Sequence, residues 1–280
     1  MVQFLNTVTQ ILNSDSVRPL DGICRHLAWQ SRRLFRRFPV MLRIGDSRLR
    51  VDQPCGVAAL INAMGEYDHN NMGFFRSMLS HTKGTFVDIG ANIGSYTLIV
   101  SEVSDATVIS IEPHPVTFGW LSENVRLNGR HNVTCLGIVL SNRDGHLQFT
   151  DGTEPSINHI AAYNELNKPG ITVNSRRLET LCDDLQVTPD FVKIDVEGHE
   201  LCVLEGFGKY RSLPKVVVVE NGEEKDVREW MIKADFVDPL FVHIDKRVLS
   251  HVKQRRPEDP VYLNRSFLNE LRSFGFTISA

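Results

Sequence analysis

The sequence lacks the marks of several protein classes. No apolar run approaches the roughly 18 residues that a membrane-spanning helix needs. The five cysteines are an odd number and include no C-x-x-C pair, which excludes a disulfide-stapled scaffold and a zinc site. A net charge of −3 is too small to indicate a nucleic-acid-binding protein. Because no cationic residue precedes Arg18, we expect no secretory signal, and we expect a cytoplasmic location with reduced thiols.

Between residues 84 and 222, short apolar strands alternate with helices. Strands are predicted over Thr85–Ile89, Thr107–Glu112, Val133–Leu140, Phe191–Val196 and Lys215–Glu220, and an antiparallel strand over His146–Thr150. Repeated β-α-β units of this kind predict an α/β fold with a doubly wound, mostly parallel sheet. Ligands are then expected at the carboxyl ends of the strands.

The first 80 residues predict an N-terminal extension of helices and a β-hairpin. Val40–Ile44 and Arg48–Val51 flank Gly45-Asp46, a two-residue connection suited to a hairpin. One helix is predicted over residues 57–80. Another, over 23–38, is basic and amphipathic, and two interpretations of it stay open: a solvated helix packed on the domain, which is the commoner case, or a peripheral contact with a membrane surface.

The segment from Phe86 to Gly94 joins a strand to a helix through a glycine-bearing turn. Gly90, Asn92 and Gly94 shape this turn, and the start of the helix offers free N–H groups to a ligand. The G-x-x-x-G spacing differs from the dinucleotide pattern G-x-G-x-x-G, and Asp88 would repel a pyrophosphate. The same carboxylate suits an ammonium or sulfonium group, so a cationic ligand is predicted.

A second acid, Glu112, ends the next strand. In a parallel sheet the ends of neighbouring strands meet at one edge, where a carboxylate can accept the hydroxyls of a ribose. Acids at the ends of both strands therefore favour an adenosyl ligand.

Charged side chains alternate with apolar or small residues at the end of the strand predicted over Phe191–Val196. The alternating residues are Lys193, Asp195, Glu197 and His199. While the chain stays extended, they share one face, and unpaired charges there would be costly to bury. The cluster therefore indicates a functional site. Glu220 and Asn221 end the neighbouring strand at the same edge.

Together these stretches resemble the FkbM family of S-adenosylmethionine-dependent methyltransferases. The matching segments are Val87–Gly94 with Tyr96-Thr97-Leu98, Ile111-Glu112-Pro113 with Leu121 and Asn124, and Lys193–Glu200 with Val203-Leu204 and Gly206. The resemblance covers about residues 84–222. His199 departs from it, because a small residue is expected between Gly198 and Glu200.

The resemblance implies a Rossmann-like sheet of the class I methyltransferase type, with one antiparallel strand near its edge. From the pattern of elements we expect a methyltransferase domain over residues 81–280 and an N-terminal extension over 1–80. It implies S-adenosylmethionine as cofactor. The residues implied to hold this cofactor are Asp88, Gly90, Asn92 and Gly94 at its amino-acid part, Glu112 at its ribose, and Ser141 in the segment 137–141 near its adenine.

The function expected from the resemblance is O-methylation of a sugar, glycan or natural product. A carboxylate general base would assist, with Asp195 or Glu197 favoured and His199 next. A magnesium site at Asp195, Glu220 and Asn221 is the less favoured variant, and no metal is predicted. Two alternatives stay open: a non-catalytic adenosylmethionine-binding module, and an NAD- or nucleotide-sugar-dependent Rossmann enzyme. No nucleic-acid partner is predicted, and acceptor specificity is expected to reside in residues 1–80, 151–175 and 223–280.

Overall fold

The structure is a computed structural model that describes residues 2–13, 17–103, 105–152, 158–161, 170–253 and 258–279. Its N-terminal elements are helices α1 (Val2–Leu12) and α2 (Pro19–Leu34), strands β1 (Val40–Ile44) and β2 (Ser47–Val51), and helices α3 (Gly56–Met64) and α4 (His69–His81). The predicted hairpin is confirmed, since β1 and β2 pair antiparallel around Gly45 and Asp46.

Two predicted helices differ from the observed ones. The single helix expected over residues 57–80 is two helices, α3 and α4, because Gly65 ends the first with φ +84°. The helix expected over 23–38 begins earlier, at Pro19, where proline's missing N–H costs nothing. It ends at Leu34, before the cis peptide bond between Phe38 and Pro39.

The centre of the fold is a six-stranded sheet with helices on both faces. Its elements are β3 (Thr85–Ile89), α5 (Ser95–Ser101), β4 (Thr107–Ile111), α6 (Pro115–Leu127), β5 (Val133–Leu136), α7 (Leu178–Leu185), β9 (Pro189–Ile194), α8 (Glu200–Glu205), β10 (Val216–Val219), α9 (Lys225–Lys233) and β13 (Val261–Leu263). The strand order is β13-β10-β9-β3-β4-β5, parallel except for β13. The predicted fold class is confirmed.

This order reverses between β3 and β9. The chain runs from β3 outward to β4 and β5, and later returns to place β9 against the other side of β3. Such a reversal opens a crevice beyond the carboxyl ends of the two strands, because the crossover helices leave on opposite faces. The fold therefore positions any ligand beside Ile89 and Ile194, the last residues of β3 and β9.

Several sequence-based strand predictions need correction. The strand expected over Val133–Leu140 is broken into β5 and the short β6 (Val139–Leu140). The antiparallel strand β7 (Gly145–Thr150) does exist, but it belongs to a separate three-stranded sheet that also contains β6. Its partner β8 (Gly170–Arg176) was missed, because its alternating pattern is polar and follows a long polar connection.

The remaining C-terminal elements flank the central sheet. They are β11 (Phe241–His243), β12 (Val248–Ser250), α10 (Leu268–Ser273) and β14 (Thr277–Ser279). Strand β11 pairs with β12 outside the central sheet, and it is β13 that completes the central sheet. No helix among the described residues is long and apolar enough to cross a membrane.

The N-terminal elements pack into the same hydrophobic cluster as the sheet. Trp29 of α2 and Phe75 of α4 are buried together with Phe86 and Phe191 of the central strands. Phe75 contacts Phe86 edge-on, with 4.8 Å between ring centroids. Side chains from both sides of residue 80 therefore share one hydrophobic cluster. The domain boundary expected near residue 80 stays a prediction.

Candidate active site

A cavity opens where the strand order reverses. Its walls are formed by the carboxyl ends of β3, β4, β9 and β10, by residues 138–140, and by Phe149 of β7. The charged and amide side chains that line it are Asp88, Asn92, Glu112, Asn158, Lys193, Asp195, Glu197 and Glu220. Seven of these eight were singled out from the sequence as site residues or as part of the strand-end clusters beside them, and Asn158 alone carried no signal.

The glycine-bearing turn after β3 forms one wall of the cavity. The N–H groups of Gly90 and Ala91 donate to the Ile111 carbonyl, at 3.0 and 2.9 Å, and so pin the turn to β4. A Cβ on Gly90 would overlap the carbonyl oxygen of Asp195, and Gly90 has φ +82°. Glycine is therefore required at this position, because the turn after β3 and the turn after β9 touch backbone to backbone.

Asp88 lies buried at the end of β3. Thr97 Oγ1 donates to its Oδ2 at 2.7 Å, and Lys193 is its neighbour across the β3–β9 pairing. Burial raises the pKa of Asp88, against the opposing effects of the Lys193 ammonium and the Thr97 hydroxyl. A cationic ligand group would relieve this cost, because it would stabilise the ionised carboxylate.

Glu112 braces the same turn and also lines the cavity. Its Oε1 accepts from the His114 N–H at 3.0 Å and from Thr117 Oγ1 at 2.7 Å, and its Oε2 accepts from the Asn92 N–H at 2.9 Å. A carboxylate has about four acceptor sites, so roughly one is left for a ligand hydroxyl. The expected role at a ribose stays a prediction, and the bracing of the turn is a second role that the sequence did not reveal.

Among the described residues, the side-chain oxygen of Asn92 is a buried hydrogen-bond acceptor that is not satisfied. Asn92 takes φ +51°, and its Oδ1 is buried with no hydrogen-bond partner among the described residues. A buried polar atom without a partner is costly and uncommon. Because Asn92 lines the cavity, a donor group on a bound ligand would satisfy it.

The chain turns sharply after β9, which corrects the expected alternation. The strand ends at Ile194, and Glu197 and Gly198 take φ +53° and +94°. The buried Glu200 carboxylate accepts from the Gly198 N–H at 3.1 Å and stabilises this turn. Since the chain is no longer extended there, His199 does not share a face with Asp195 and Glu197, which both line the cavity.

Three carboxylates meet at the ends of β9 and β10. One oxygen from each of Asp195, Glu197 and Glu220 lies within 4.8 Å of the others. Such oxygens are the ligand type that Mg²⁺ prefers. The chain also brings its own cation to the group, because Lys193 Nζ lies 2.7 Å from Asp195 Oδ2. Asn221, considered as a further ligand, is exposed with φ +53° and does not line the cavity.

The three carboxyl groups have different proton affinities. Burial alone would raise the pKa of Asp195, but the Lys193 ammonium and a hydrogen bond with Glu220 hold it below its usual value. Burial and the Asp195 charge raise the pKa of Glu220 to about 9. The pKa of Glu197, which stands exposed at the mouth of the cleft, is raised by partial loss of solvent and then by Asp195 and Glu200.

His199, Ser141 and Gly94 do not line the cavity. His199 Nε2 instead lies 2.9 Å from Ser141 Oγ, and burial lowers the pKa of His199 to about 4. The adjacent residues 138–140 line the cavity in place of Ser141. Gly94 takes φ +92° at the start of α5 and shapes the turn from behind.

Two aromatic residues of the site, Tyr67 and Tyr96, were given no role in it from the sequence. Tyr67 lies between α3 and α4, and Tyr96 is in α5; both line the cavity. The Lys193 ammonium lies 4.9 Å from the centroid of the Tyr96 ring. Tyr96 follows the glycine turn and was named there only as part of the family resemblance, whereas Tyr67 comes from the N-terminal extension and carried no signal.

A doubly wound sheet with an antiparallel edge strand, and an acid-lined cavity at its switch point, defines the class I methyltransferase fold. Within that class the chain belongs to the FkbM family. Residues 88–254 match the family model described as the methyltransferase FkbM domain.

Two curated relatives and one solved structure are similar to this chain. It is 37% identical over 157 residues to hexuronic acid methyltransferase AglP of Haloferax volcanii, across 52% of this chain and 61% of AglP. It is 30% identical over 175 residues to methyltransferase sdnD of Sordaria araneosa, across 51% of this chain and 68% of sdnD. The structure of M. jannaschii TYW2 in complex with AdoMet matches with a TM-score of 0.42 and 16% identity, over 81% of this chain and 86% of that one.

Proposed function

We propose that this protein transfers a methyl group from S-adenosylmethionine to a hydroxyl of a sugar-containing acceptor. The observation that carries the proposal is the arrangement of Asp88 and Glu112 at the ends of β3 and β4, beside the carboxylates of Asp195, Glu197 and Glu220. The first pair suits a cationic adenosyl compound, and the second group suits an acceptor whose proton must be removed.

The residues present fit such a cofactor. The buried Asp88 would hold its ammonium group, Asn92 Oδ1 would gain the donor it lacks, and Glu112 would accept a ribose hydroxyl. When bound, S-adenosylmethionine supplies a methyl group that its sulfonium already activates. The chain then has to align the acceptor, and holding two reactants near attack distance can contribute on the order of 7–11 kcal/mol.

Among the carboxylates, Glu197 is the proposed proton acceptor. Asp195 is tied to Lys193 Nζ at 2.7 Å and its pKa is lowered, so it is a weak base that orients its neighbours. Glu197 stands at the mouth with a raised pKa and without a hydrogen-bonded cation among the residues that the structure describes, which is closer to what general-base catalysis needs. His199, with its lowered pKa and its Ser141 contact, is not part of this proposal.

The sugar acceptor is supported by the relative whose name specifies a hexuronic acid methyltransferase. Because the chain spans 61% of the length of that relative, its acceptor is carried over only as a proposal. Phe149 and Asn158 line the same cavity and offer an apolar ring and an amide, a combination that suits a sugar's faces and hydroxyls.

The alternatives make different predictions. An NAD-dependent enzyme needs a site for pyrophosphate, and the buried Asp88 disfavours one. A non-catalytic binding module has no use for three clustered carboxylates. The magnesium variant competes with Lys193, which already supplies a positive charge, and activity that survives exhaustive EDTA treatment would exclude it.

The test has two stages. Calorimetry of the purified chain should detect binding of S-adenosylmethionine, and an Asp88→Ala variant should lose it. Incubation with methyl-labelled cofactor and fractionated glycans, followed by mass spectrometry, should then locate an O-methyl group on a sugar. Absence of binding by the wild type would refute the proposal as a whole. Binding without transfer to any fraction would favour the non-catalytic module.

A further inference from the structure

Helix α2 has one buried face and, on its other side, exposed leucines. Its buried face consists of Gly22, His26 and Trp29, which face α3 and the main core. The opposite face carries Leu20, Leu27 and Leu34, which are 78, 53 and 76% exposed. These three leucines, called here the leucine stripe, are seven residues apart. Since seven residues make nearly two turns, they align along one side of the helix over about 21 Å.

The leucine stripe is part of a concentration of exposed apolar side chains. Phe35, just after the helix, is 64% exposed, so four of the twelve large hydrophobic residues left exposed among the described residues lie between Leu20 and Phe35. Single exposed leucines are ordinary, but an aligned group of this kind marks an interaction surface.

The charges beside the leucine stripe are almost all positive. The exposed basic residues of this stretch are Arg25, Arg32, Arg33, Arg36 and Arg37, and the segment 19–38 contains one acid, Asp21. On a helical projection, Arg25 and Arg32 lie between the leucine stripe and the buried face. An outward apolar stripe bordered by arginines is the distribution that an interfacial helix presents to a bilayer.

From this geometry we propose that α2 docks the protein on the surface of an anionic lipid bilayer. The leucine stripe and Phe35 enter the boundary between headgroups and acyl chains, and the arginines bind lipid phosphates. A second copy of the chain fits less well, because a two-fold contact through this face would bring the same arginines together.

Docking by α2 would also fix one wall of the cavity near the bilayer. Asn62 Nδ2 donates to the Arg25 carbonyl at 2.9 Å, which ties α2 to α3. Val57, the second residue of α3, lines the cavity. The docking helix and the site are therefore joined through one short element.

The test is co-sedimentation of the full chain with vesicles. One set contains phosphatidylcholine alone, and the other contains equal parts of phosphatidylcholine and phosphatidylglycerol. We expect the protein to bind the anionic vesicles. Binding should weaken at high salt, because salt screens the attraction between the arginines and the lipid phosphates. The pair Leu27→Glu and Leu34→Glu should lower the partition coefficient about tenfold or more. The matched control is Leu213→Glu, which changes a leucine that is 51% exposed elsewhere.

A second pair, Arg32→Gln with Arg36→Gln, tests the charge separately and should also lower anionic binding about tenfold or more. Circular dichroism verifies that each variant is folded. Failure of the wild type to bind anionic vesicles would overturn the proposal, as would equal binding by the leucine pair. A dimer in light scattering that the leucine pair converts to a monomer would assign the surface to a second copy instead. None of these readouts depends on methyl transfer.

Discussion

The ammonium of Lys193 lies 2.7 Å from the carboxylate of Asp195, and its side chain is only 3% exposed. Both residues are at the end of β9, where a parallel strand covered on both faces would ordinarily be apolar. Burial alone would lower the pKa of Lys193, but the carboxylates of Asp195 and Asp88 outweigh it and keep the ammonium charged. The chain thus supplies a fixed cation between the proposed cofactor side and the proposed acceptor side of one cavity.

The division of labour between Asp195 and Glu197 can be tested by amide substitution. Glu197→Gln should lower kcat by about 10²–10⁴-fold, the usual contribution of a general base, and leave cofactor affinity unchanged. Asp195→Asn should weaken acceptor binding as well, because it disturbs the contacts to Lys193 and Glu220. Steady-state kinetics with calorimetric cofactor titration separates the two. A Glu197→Gln enzyme with full kcat would exclude Glu197 as the base.

The pH dependence of that activity has a defined sign. Glu197 must be deprotonated to accept a proton, and its pKa is raised, so activity should fall on the acid side at a pH above the ordinary glutamate value. In Glu197→Gln this acid limb should disappear from the profile of kcat. Persistence of the same limb in the variant would assign it to another group.

Glu220, unlike Glu197, is expected to tolerate substitution by its amide. Its pKa of about 9 means that it is protonated at neutral pH beside Asp195, so Glu220→Gln, which also donates a hydrogen bond, should retain activity there. Other charges that raise this pKa are those of Glu197 and Asp259.

The stability of the Glu220 variant should differ with pH. A folded-state pKa above the unfolded one gives stability that is present below about pH 4.5 and is lost as the pH rises toward 9. Urea unfolding should therefore show a steeper decline for wild type than for Glu220→Gln across this range. Parallel declines in the two proteins would show that Glu220 is not protonated in the folded state.

Much of the cofactor side could be predicted from sequence because it depends on local patterns. The apolar strand before Asp88, the glycine turn after it and the acid at Glu112 are each visible within a few residues, and a parallel sheet brings strand ends together. Glu220 and Lys193 were noticed for the same reason. What the sequence could not supply was their proton states, which arise from burial and mutual distance.

The errors had one local cause and two long-range causes. His199 was grouped with Asp195 on the assumption of an extended chain, whereas Glu197 and Gly198 both turn left-handed and carry His199 toward Ser141. The edge strand β13 was missed because three residues give no periodicity, and its pairing with β10 is far away in the chain. Tyr67 enters the site by tertiary packing of the N-terminal extension, which has no local signature.

The ion pair between the buried Lys193 and the half-buried Asp195 can be examined by a double-mutant cycle. Lys193→Met should lower the free energy of unfolding by about 3–5 kcal/mol, because it leaves Asp195 and Asp88 without their cation. The double variant Lys193→Met with Asp195→Asn should recover part of this loss, because one carboxylate no longer lacks a partner. Denaturant unfolding of wild type, both single variants and the double variant measures the coupling. Additive losses would show that the two residues do not interact.

The contact between the turns after β3 and β9 makes a steric prediction. A methyl group at position 90 would overlap the Asp195 carbonyl, and it would also have to adopt a positive φ. Gly90→Ala should therefore cost on the order of 2–4 kcal/mol of unfolding free energy, from overpacking and backbone strain together. It should also weaken binding of the proposed cofactor, because the turn that carries Asp88 and Asn92 must shift. The matched control is Gly119→Ala in α6, where no atom of the described part of the chain lies within 4 Å of the added methyl group. Alanine there should leave stability unchanged or raise it by up to about 1 kcal/mol, because it is a better helix former than glycine. If Gly90→Ala were as stable and as competent in binding as Gly119→Ala, the two turns could not be packed as closely as the structure has them.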